Sequence, residues 1–575
     1  MVATMLLQVF CRYGLNASLS WSEELTRLLF VWLTFLGFGL AVQRGALPTI
    51  FVLGDRMANR WLAATLNAAR DVMNIAVALL MAVSGFQLAR RVAMMPTPAL
   101  GLSTAWFPLA VGSGGTLLAF QLLAKPLVEH SRPLALSLAL AALGGLIAAG
   151  IAFLPTGFAP IGVAVITVFS VLSLLGVPIA LGLAGAAFVG VADGGLANME
   201  AIARQLYDGV NSFLLLAIPF FMLTGVVMSS GGLAERLVAF AQALVGWMRG
   251  GLAQVDIVVS AIFADISGSA VGDAASVGGV LIPQMIRRGY PPPFAAAVQA
   301  AGGTLGLLFP PATALIVYSS VTDVPISALF AAAVIPALIV TAMFMAVNGV
   351  MARRLSLAPT AAFVAREVPR TLARAVLPLM AIVIIIGGIL GGVFTPTESG
   401  VVAVAYSLLV ALAAMRSLRP RALPGLLIEA SVGTARVTSI LAGAAGVGWL
   451  LTLTGIPAAI SAALLHNITD PVIGVLAINV IFLVTHTVME AAPAIVVVTP
   501  ILLPAIASLH IDPVRLGVLI MINSGIGMVL PPMGILTFLT ASIAGIGPGK
   551  AFRAVIPYAA ALVLVLLALV FIPAA

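Results

Sequence analysis

Charge is scarce in this chain of 575 residues. Lys, Arg, Asp and Glu together make up 8% of it, against about 25% in ordinary soluble domains. With 62% hydrophobic residues and a mean hydropathy of +1.20, a soluble globular protein is excluded. Cysteine is scarcer still. Cys11 stands alone, so there is neither an internal disulfide nor a cysteine cluster for metal. The sequence also lacks H-E-x-x-H, a P-loop lysine motif and a G-x-G-x-x-G following a strand. Without a nucleotide site, any uphill transport must draw on an ion gradient. The opening MVATMLLQVFCRYGLN has no basic n-region and no small-residue cleavage site, so no cleaved signal peptide is expected.

What the chain does have is apolar runs of about twenty residues, recurring along nearly its whole length. These predict an all-α polytopic membrane protein with about fifteen transmembrane helices. A β-barrel is excluded because its strands would alternate apolar and polar residues. The formal charge of +8 does not point to nucleic acid, because the basic residues sit in short loops between spans. Arg353, Arg354, Arg366, Arg370 and Arg374 mark one loop (352–374), and Arg416, Arg419 and Arg421 mark another (416–424). Two apolar spans lie between them, near 375–393 and 400–415, so both loops fall on one side, as cytoplasmic loops do. The head of the chain, 1–130, carries spans within 18–50 and near 68–89 and 104–124. A polar break, KPLVEHSRP, follows at 125–133. The expected organisation is this head, a linking helix in 131–158, and a Gly/Ala-rich region of 159–575.

That last region repeats itself. Laying position 280 on position 501 aligns VLIPQMIRRGYPPPF…GTLGLLFPPA (280–312) with ILLPAIASLHIDPVR…GIGMVLPPM (501–533). Pro283 falls on Pro504, Pro292 on Pro513, Pro310 and Pro311 on Pro531 and Pro532, and Gly306 on Gly527. The repeats run over about 212–330 and 432–550. Gly/Pro-interrupted apolar segments in two halves of a chain are the sequence mark of a transporter binding site.

Ahead of each break lies a segment fit to enter the membrane and turn back. In FADISGSAVGDAASVGGVLIP (263–283) the turn falls at Ser267-Gly268-Ser269. In THTVMEAAPAIVVVTPILLP (485–504), Glu490 aligns with Ser269. An arm of about nine helical residues reaches only ~14 Å, half the hydrocarbon thickness, so both read as re-entrant helical hairpins. Two readings stay open for their small residues: close helix packing, or helix ends and freed carbonyls that bind carboxylates and cations. Asp273 and Glu490, acids within apolar stretches, are candidates for function because such charge is costly there. An ion pair or helix cap is the alternative. Asp265 is a weaker candidate. Glu398 in Thr395-Pro396-Thr397-Glu398 reads as a helix start, His486 as a packed, hydrogen-bonded histidine, and Pro219 as a local kink. Tyr207-Asp208 with AVGD (270–273) resembles the aspartate pair of intramembrane proteases, but Ala270 stands where that motif needs glycine.

Several phrases resemble the large membrane subunit of tripartite ATP-independent periplasmic (TRAP) transporters: AIPFFMLTGVVMSSGGLAERLV (217–238), ISGSAVGDAASVGGVLIPQMIRRGY (266–290), GGVFTPTESGVVAVAYSLLV (391–410) and LLPAIASLHIDPVRLGV (502–518). Both double-proline breaks do as well. CRYGLNASLSWSEELTRLLFVWL (11–33) resembles the small subunit, although the basic stretch and full first helix of that pattern do not precede it. The resemblance implies a fused permease, not an enzyme, in a bacterial or archaeal inner membrane. It implies sodium-coupled uptake of an organic acid (a C4-dicarboxylate, keto acid or sialic acid) by an elevator mechanism with inverted repeats. The implied partner is a periplasmic substrate-binding protein; no cofactor is implied beyond sodium as coupling ion. It places sodium around Ser267, Gly268 and Ser269 with Gly303, Thr304 and Gly306, and around Met489, Glu490 and Pro493 with Gly525 and Gly527. The substrate would meet Ser269, Asp273, Ala491, Ala492, Asn523 and Ser524. A passive channel or scaffold is the alternative reading.

The loop assignment is testable because the chain has one cysteine. In a Cys11→Ser background, cysteines introduced by Thr360→Cys and by Ser417→Cys should label from the same side of the membrane, the cytoplasmic one. Labelling from opposite sides would remove one of the two spans between them.

Overall fold

The computed structural model describes residues 1–49, 60–128, 142–147, 160–194, 198–231, 233–267, 269–360, 362–468, 470–532 and 534–571. Gly268 and most of the expected linking helix, 131–158, lie outside the described residues, although 142–147 is helical. Regular structure among the described residues is helical, as the unbroken apolar runs require. Among these residues, nine helices are long and apolar enough to cross a membrane, and nine more are apolar but only 10–17 residues long. Prolines and glycines explain many of the short ones, because a crossing cut in two yields two pieces below the length of a span.

The chain divides into two compact units. One comprises Met1–Pro219, Ile428–Ala463 and Val496–Pro504; the other comprises Phe220–Leu427, Leu464–Ile495 and Ala505–Ala575.

In the first unit the helix Trp106–Val128 packs against both Ser20–Gln43 and Arg60–Val92. Without a hydrophobic driving force between helices in lipid, close packing of small residues has to hold them. A Cβ built on Gly85 would fall 2.5 Å from the Gly112 amide nitrogen, so these two backbones touch. The buried Glu24 of the W-x-E-E-L phrase accepts hydrogen bonds from the Ala99 and Leu100 amides (2.7 and 3.3 Å) and so fixes the loop after the second long helix. Thr34 Oγ1 donates to Thr438 Oγ1 at 3.0 Å, tying the head to the helix Leu423–Leu453.

In the second unit the expected spans near 375–393 and 400–415 are Glu367–Leu390 and Pro396–Ala414. The first starts earlier than expected, so Arg370 and Arg374 stand on its opening turns; Arg370 pairs with Glu367 at 3.2 Å. Thr395 and Glu398 form the capping box their spacing predicts, each side chain accepting from the other's amide (3.3 and 2.9 Å). Pro219 does not kink a running helix. A 3₁₀ turn, Leu214–Leu216, precedes the helix Ala217–Ser230, and Pro219 falls in its first turn, where a missing N–H costs nothing.

The repeat is visible element by element. The helices Ala270–Arg287 and Ala491–Ser508 are each 18 residues long, and the shift that lays Pro283 on Pro504 also lays one helix on the other, end for end. The next pair opens on the matched prolines, Pro292–Thr304 and Pro513–Val529. The pieces beyond the breaks are Thr313–Thr322 and Ile535–Ile543.

Gly37 lies where a Cβ would be 2.8 Å from the Ala435 Cβ. Gly37→Ala should destabilise this seam by about 1–3 kcal/mol, as overpacking does, read as a lower Tm in detergent. Gly448→Ala, with nothing within 4 Å, should leave Tm where it is.

Candidate functional site

A helix loses backbone donors wherever proline enters it. Pro310 and Pro311 have no N–H, so the carbonyls of Gly306 and Leu307, four positions earlier, lose their helical donors. Pro531 and Pro532 do the same to Gly527 and Met528. The structure interrupts both helices there. Pro292–Thr304 tightens into a 3₁₀ turn at Leu305–Leu307 before Thr313–Thr322 begins. Pro513–Val529 ends in extended backbone at Leu530, and Gly534 resumes the chain at φ +41°. Both Pro-Pro bonds are cis.

In the first repeat the helix Gly251–Ser267 packs against Ala270–Arg287. Ser269 is the N-cap of the second of these, its Oγ accepting from the Gly272 amide at 3.2 Å. Asp273 follows in that helix's first turn and is fully buried. Its carboxylate lies against the break. A Cβ built on Gly306 would be 2.6 Å from Asp273 Oδ2 and 3.1 Å from the Ala270 backbone, and one on Gly303 would be 3.2 Å from the Ala270 carbonyl. Thr304 donates to the Ala301 carbonyl at 2.7 Å, leaving its hydroxyl oxygen free to accept. Ser267 ends the first arm.

In the second repeat the preceding helix is Pro471–His486, and Glu490 stands at the N-cap of Ala491–Ser508 with its side chain making no cap bond. Ala491, Met489 and Pro493 are buried, while Ala492 and Glu490 are half-buried. Asn523, Ser524, Gly525 and Gly527 are all buried in the broken helix. The nearest neighbour of Gly527 is His486, whose Cβ and carbonyl oxygen would be 2.6 and 2.7 Å from an added Cβ. The resemblance leads one to expect Met489–Pro493 in that place. His486 is indeed packed and bonded: it stacks on Phe482 and hydrogen-bonds Ser524 Oγ through Nε2 at 2.8 Å. Asn523 Nδ2 donates to the Asn479 carbonyl at 2.6 Å. Thr537 Oγ1 donates to the Val529 carbonyl at 2.8 Å, replacing a donor lost at the break.

The two breaks meet. An added Cβ on Gly525 would sit 3.3 Å from Thr304 Cβ, so the last turns before each interruption are in contact. Sequence reasoning passed over Asp256, Ser260 and Gln299, all fully buried beside the first break. For Asp256 the signal was present: an acid in the apolar run GGLAQVDIVVSAIF, the pattern that drew notice at Asp273. Asp208, the other aspartate of the protease reading, is partly exposed and pairs with Arg204 at 3.4 Å.

This arrangement, two matched helices each broken over freed carbonyls, has relatives. The "Tripartite ATP-independent periplasmic transporter, DctM component" family matches residues 166–575, and the DctQ component family of the same transporters matches 1–132. The chain belongs to the TRAP transporter family. It is a fusion of the small and large membrane components of a TRAP permease, and a multi-pass membrane protein. The isethionate TRAP transporter permease protein DctMQ of Oleidesulfovibrio alaskensis is 30% identical over 98% of this chain and 89% of that protein. The C4-dicarboxylate TRAP large permease DctM of Pseudomonas aeruginosa is 36% identical over 66% of this chain and 88% of its own length. The 2,3-diketo-L-gulonate TRAP large permease YiaN of Escherichia coli is also 36% identical, over 69% and 94%.

The close approach at Gly306 gives a test within this TRAP permease. Gly306→Ala forces a methyl onto Asp273 Oδ2 and the Ala270 backbone, and should lower solute uptake at least about tenfold with the protein still expressed. Gly279→Ala, on the same hairpin with nothing within 4 Å, should transport normally.

Proposed function

We propose that the chain carries out sodium-coupled secondary uptake of an organic acid, delivered by a periplasmic substrate-binding protein, across a bacterial or archaeal inner membrane. The observation that carries this reading is the pair of discontinuous helices, with Gly306–Leu307 and Gly527–Met528 deprived of the same amide donors and with Thr304 against Gly525. Carbonyls freed inside protein and not facing lipid are ligands for a hard monovalent cation.

The first sodium ion would be held around Ser267–Ser269 with Gly303, Thr304 and Gly306. The second would sit around Met489–Pro493 with Gly525 and Gly527. A substrate carboxylate would meet the N-terminal ends of Ala270–Arg287 and Ala491–Ser508, where unsatisfied amides and the helix dipole favour negative charge. Each of these helices follows another of 17 or 16 residues, longer than the expected arms of about nine residues, and each such pair would form a hairpin. With two hairpins and the broken helices as inverted repeats, the remaining spans bring the total to about fifteen. The hairpins and broken helices would move together as an elevator, and the head, 1–130, would buttress the part that stays fixed. The named relatives move isethionate, C4-dicarboxylates and diketogulonate, so the shared chemistry is a small organic anion.

Reconstituted in liposomes with its binding protein, the chain should accumulate a labelled C4-dicarboxylate, keto acid or isethionate only under an inward sodium gradient. Downhill flux indifferent to sodium would instead identify a passive channel. Asp273→Asn and Glu490→Ala should each lower sodium-dependent initial rates, by about tenfold for the fully buried Asp273. Full activity in both variants would confine these acids to structural roles.

A further inference from the structure

Within the second unit, three buried side chains that the site above does not use lie on two packed helices near the first break. Asp256 and Ser260 are one turn apart on the helix Gly251–Ser267, and Gln299 lies on Pro292–Thr304; each is fully buried. Both carboxylate oxygens of Asp256, the Ser260 hydroxyl and both amide atoms of Gln299 have no hydrogen-bond partner among the described residues. Gly302 brings the helices together. A Cβ built there would be 2.6 Å from Ser260 Oγ and 3.7 Å from Asp256 Oδ2. Gln299 lies one turn before Gly302 on the same helix, with its Cγ 2.9 Å from where a Gly278 Cβ would stand. Asn348 closes the neighbouring turn, donating to the Ala253 carbonyl at 2.9 Å and accepting from the Tyr558 hydroxyl.

The second repeat handles the equivalent place differently. Gly302 aligns with Asn523, whose own side chain fills the space and bonds Asn479 at its carbonyl and Oδ1 (2.6 and 3.2 Å). Only the first repeat leaves a carboxylate there. A buried carboxylate without a partner is among the costliest arrangements a membrane protein can hold, and no basic side chain pairs with Asp256 among the described residues.

We propose that Asp256, Ser260 and Gln299 bind a sodium ion at a place separate from the two hairpin tips. All the ligands are hard oxygens, with neither sulfur nor imidazole, which excludes soft transition metals. One carboxylate balances one monovalent charge and leaves a divalent ion under-neutralised. A proton on Asp256 is the competing occupant, and the infrared measurement below separates it from an ion. An ion bridges oxygens that do not bond one another. Binding here stands independently of coupled uptake. Its part in the transport cycle, one further cation carried with the moving helices, rests on that reading.

The test is saturable ²²Na⁺ binding to the purified full-length chain in detergent, with no substrate present. Asp256→Asn should bind one ion fewer per chain than the wild type. Ser260→Ala should keep the number and weaken one class of sites about tenfold. Unchanged stoichiometry and affinity in Asp256→Asn overturns the proposal, as does an infrared band of a protonated carboxyl that persists at saturating sodium and disappears in Asp256→Asn. If Asp256→Asn does not fold, unchanged affinities in Ser260→Ala overturn it. Loss of one ion in Asp256→Asn, together with sodium-independent uptake by the wild type, would keep this site and refute coupling.

Discussion

Inside hydrocarbon every backbone N–H and C=O has to be satisfied by the protein itself, and the rest of this structure follows from how that demand is met and where it is suspended. Most of the described chain meets it with uninterrupted helix. At two places, one in each repeat, paired prolines withhold the donors, and the residues that lose them, Gly306–Leu307 and Gly527–Met528, are buried. Thr304, Gly525, Gly303 and Gly306 come close enough that a single added carbon would collide or press tightly. Thr537 and His486 fill in on the second side, one supplying a donor to Val529 and the other lying against Gly527. The first break is buried at Pro310 and Pro311, whereas in the second Gly527 and Met528 are buried and Pro531 and Pro532 are exposed.

The two halves share a plan and differ in chemistry. In the first, the segment against the glycine break begins a helix and brings Asp273 with it. In the second, it is the end of the preceding helix that lies against the equivalent glycine, bringing His486, already engaged with Ser524. The same asymmetry recurs one turn away, where Asp256 and Ser260 face Gly302 but Asn479 is bonded to Asn523. Equivalent backbone positions thus meet a carboxyl side chain in one repeat and none in the other.

Much of this was legible in the amino-acid sequence because it is written in prolines, glycines and apolar periodicity, which act locally. The matched prolines located both broken helices, and the Thr395–Glu398 spacing specified a capping box. The head's apolar runs located three of its helices, although the one expected from 68 begins at Arg60, and the helix Val2–Gly14 was not anticipated. Side-chain partnerships across elements were less legible. Nothing in THTVMEAAP says that His486 will be the nearest neighbour of Gly527, because that depends on how far the chain runs before it turns. Asp256 was visible as an acid in an apolar run, but its approach to the helix Pro292–Thr304 depends on Gly302 having no side chain. The arginines of the basic loop were right in number and wrong in element, since Glu367 starts its helix before Arg370.

The glycine seams carry a consequence for how such a chain tolerates change. In a soluble core, the residues that resist replacement are the large ones that fill space. Here, where Gly85 touches Gly112, Gly37 meets Ala435 and Gly302 admits Ser260, specificity is stored in missing atoms. An ancestral drift that enlarged these positions would separate helices without altering any polar group, so the chain's identity is guarded most strictly where it has the least to show.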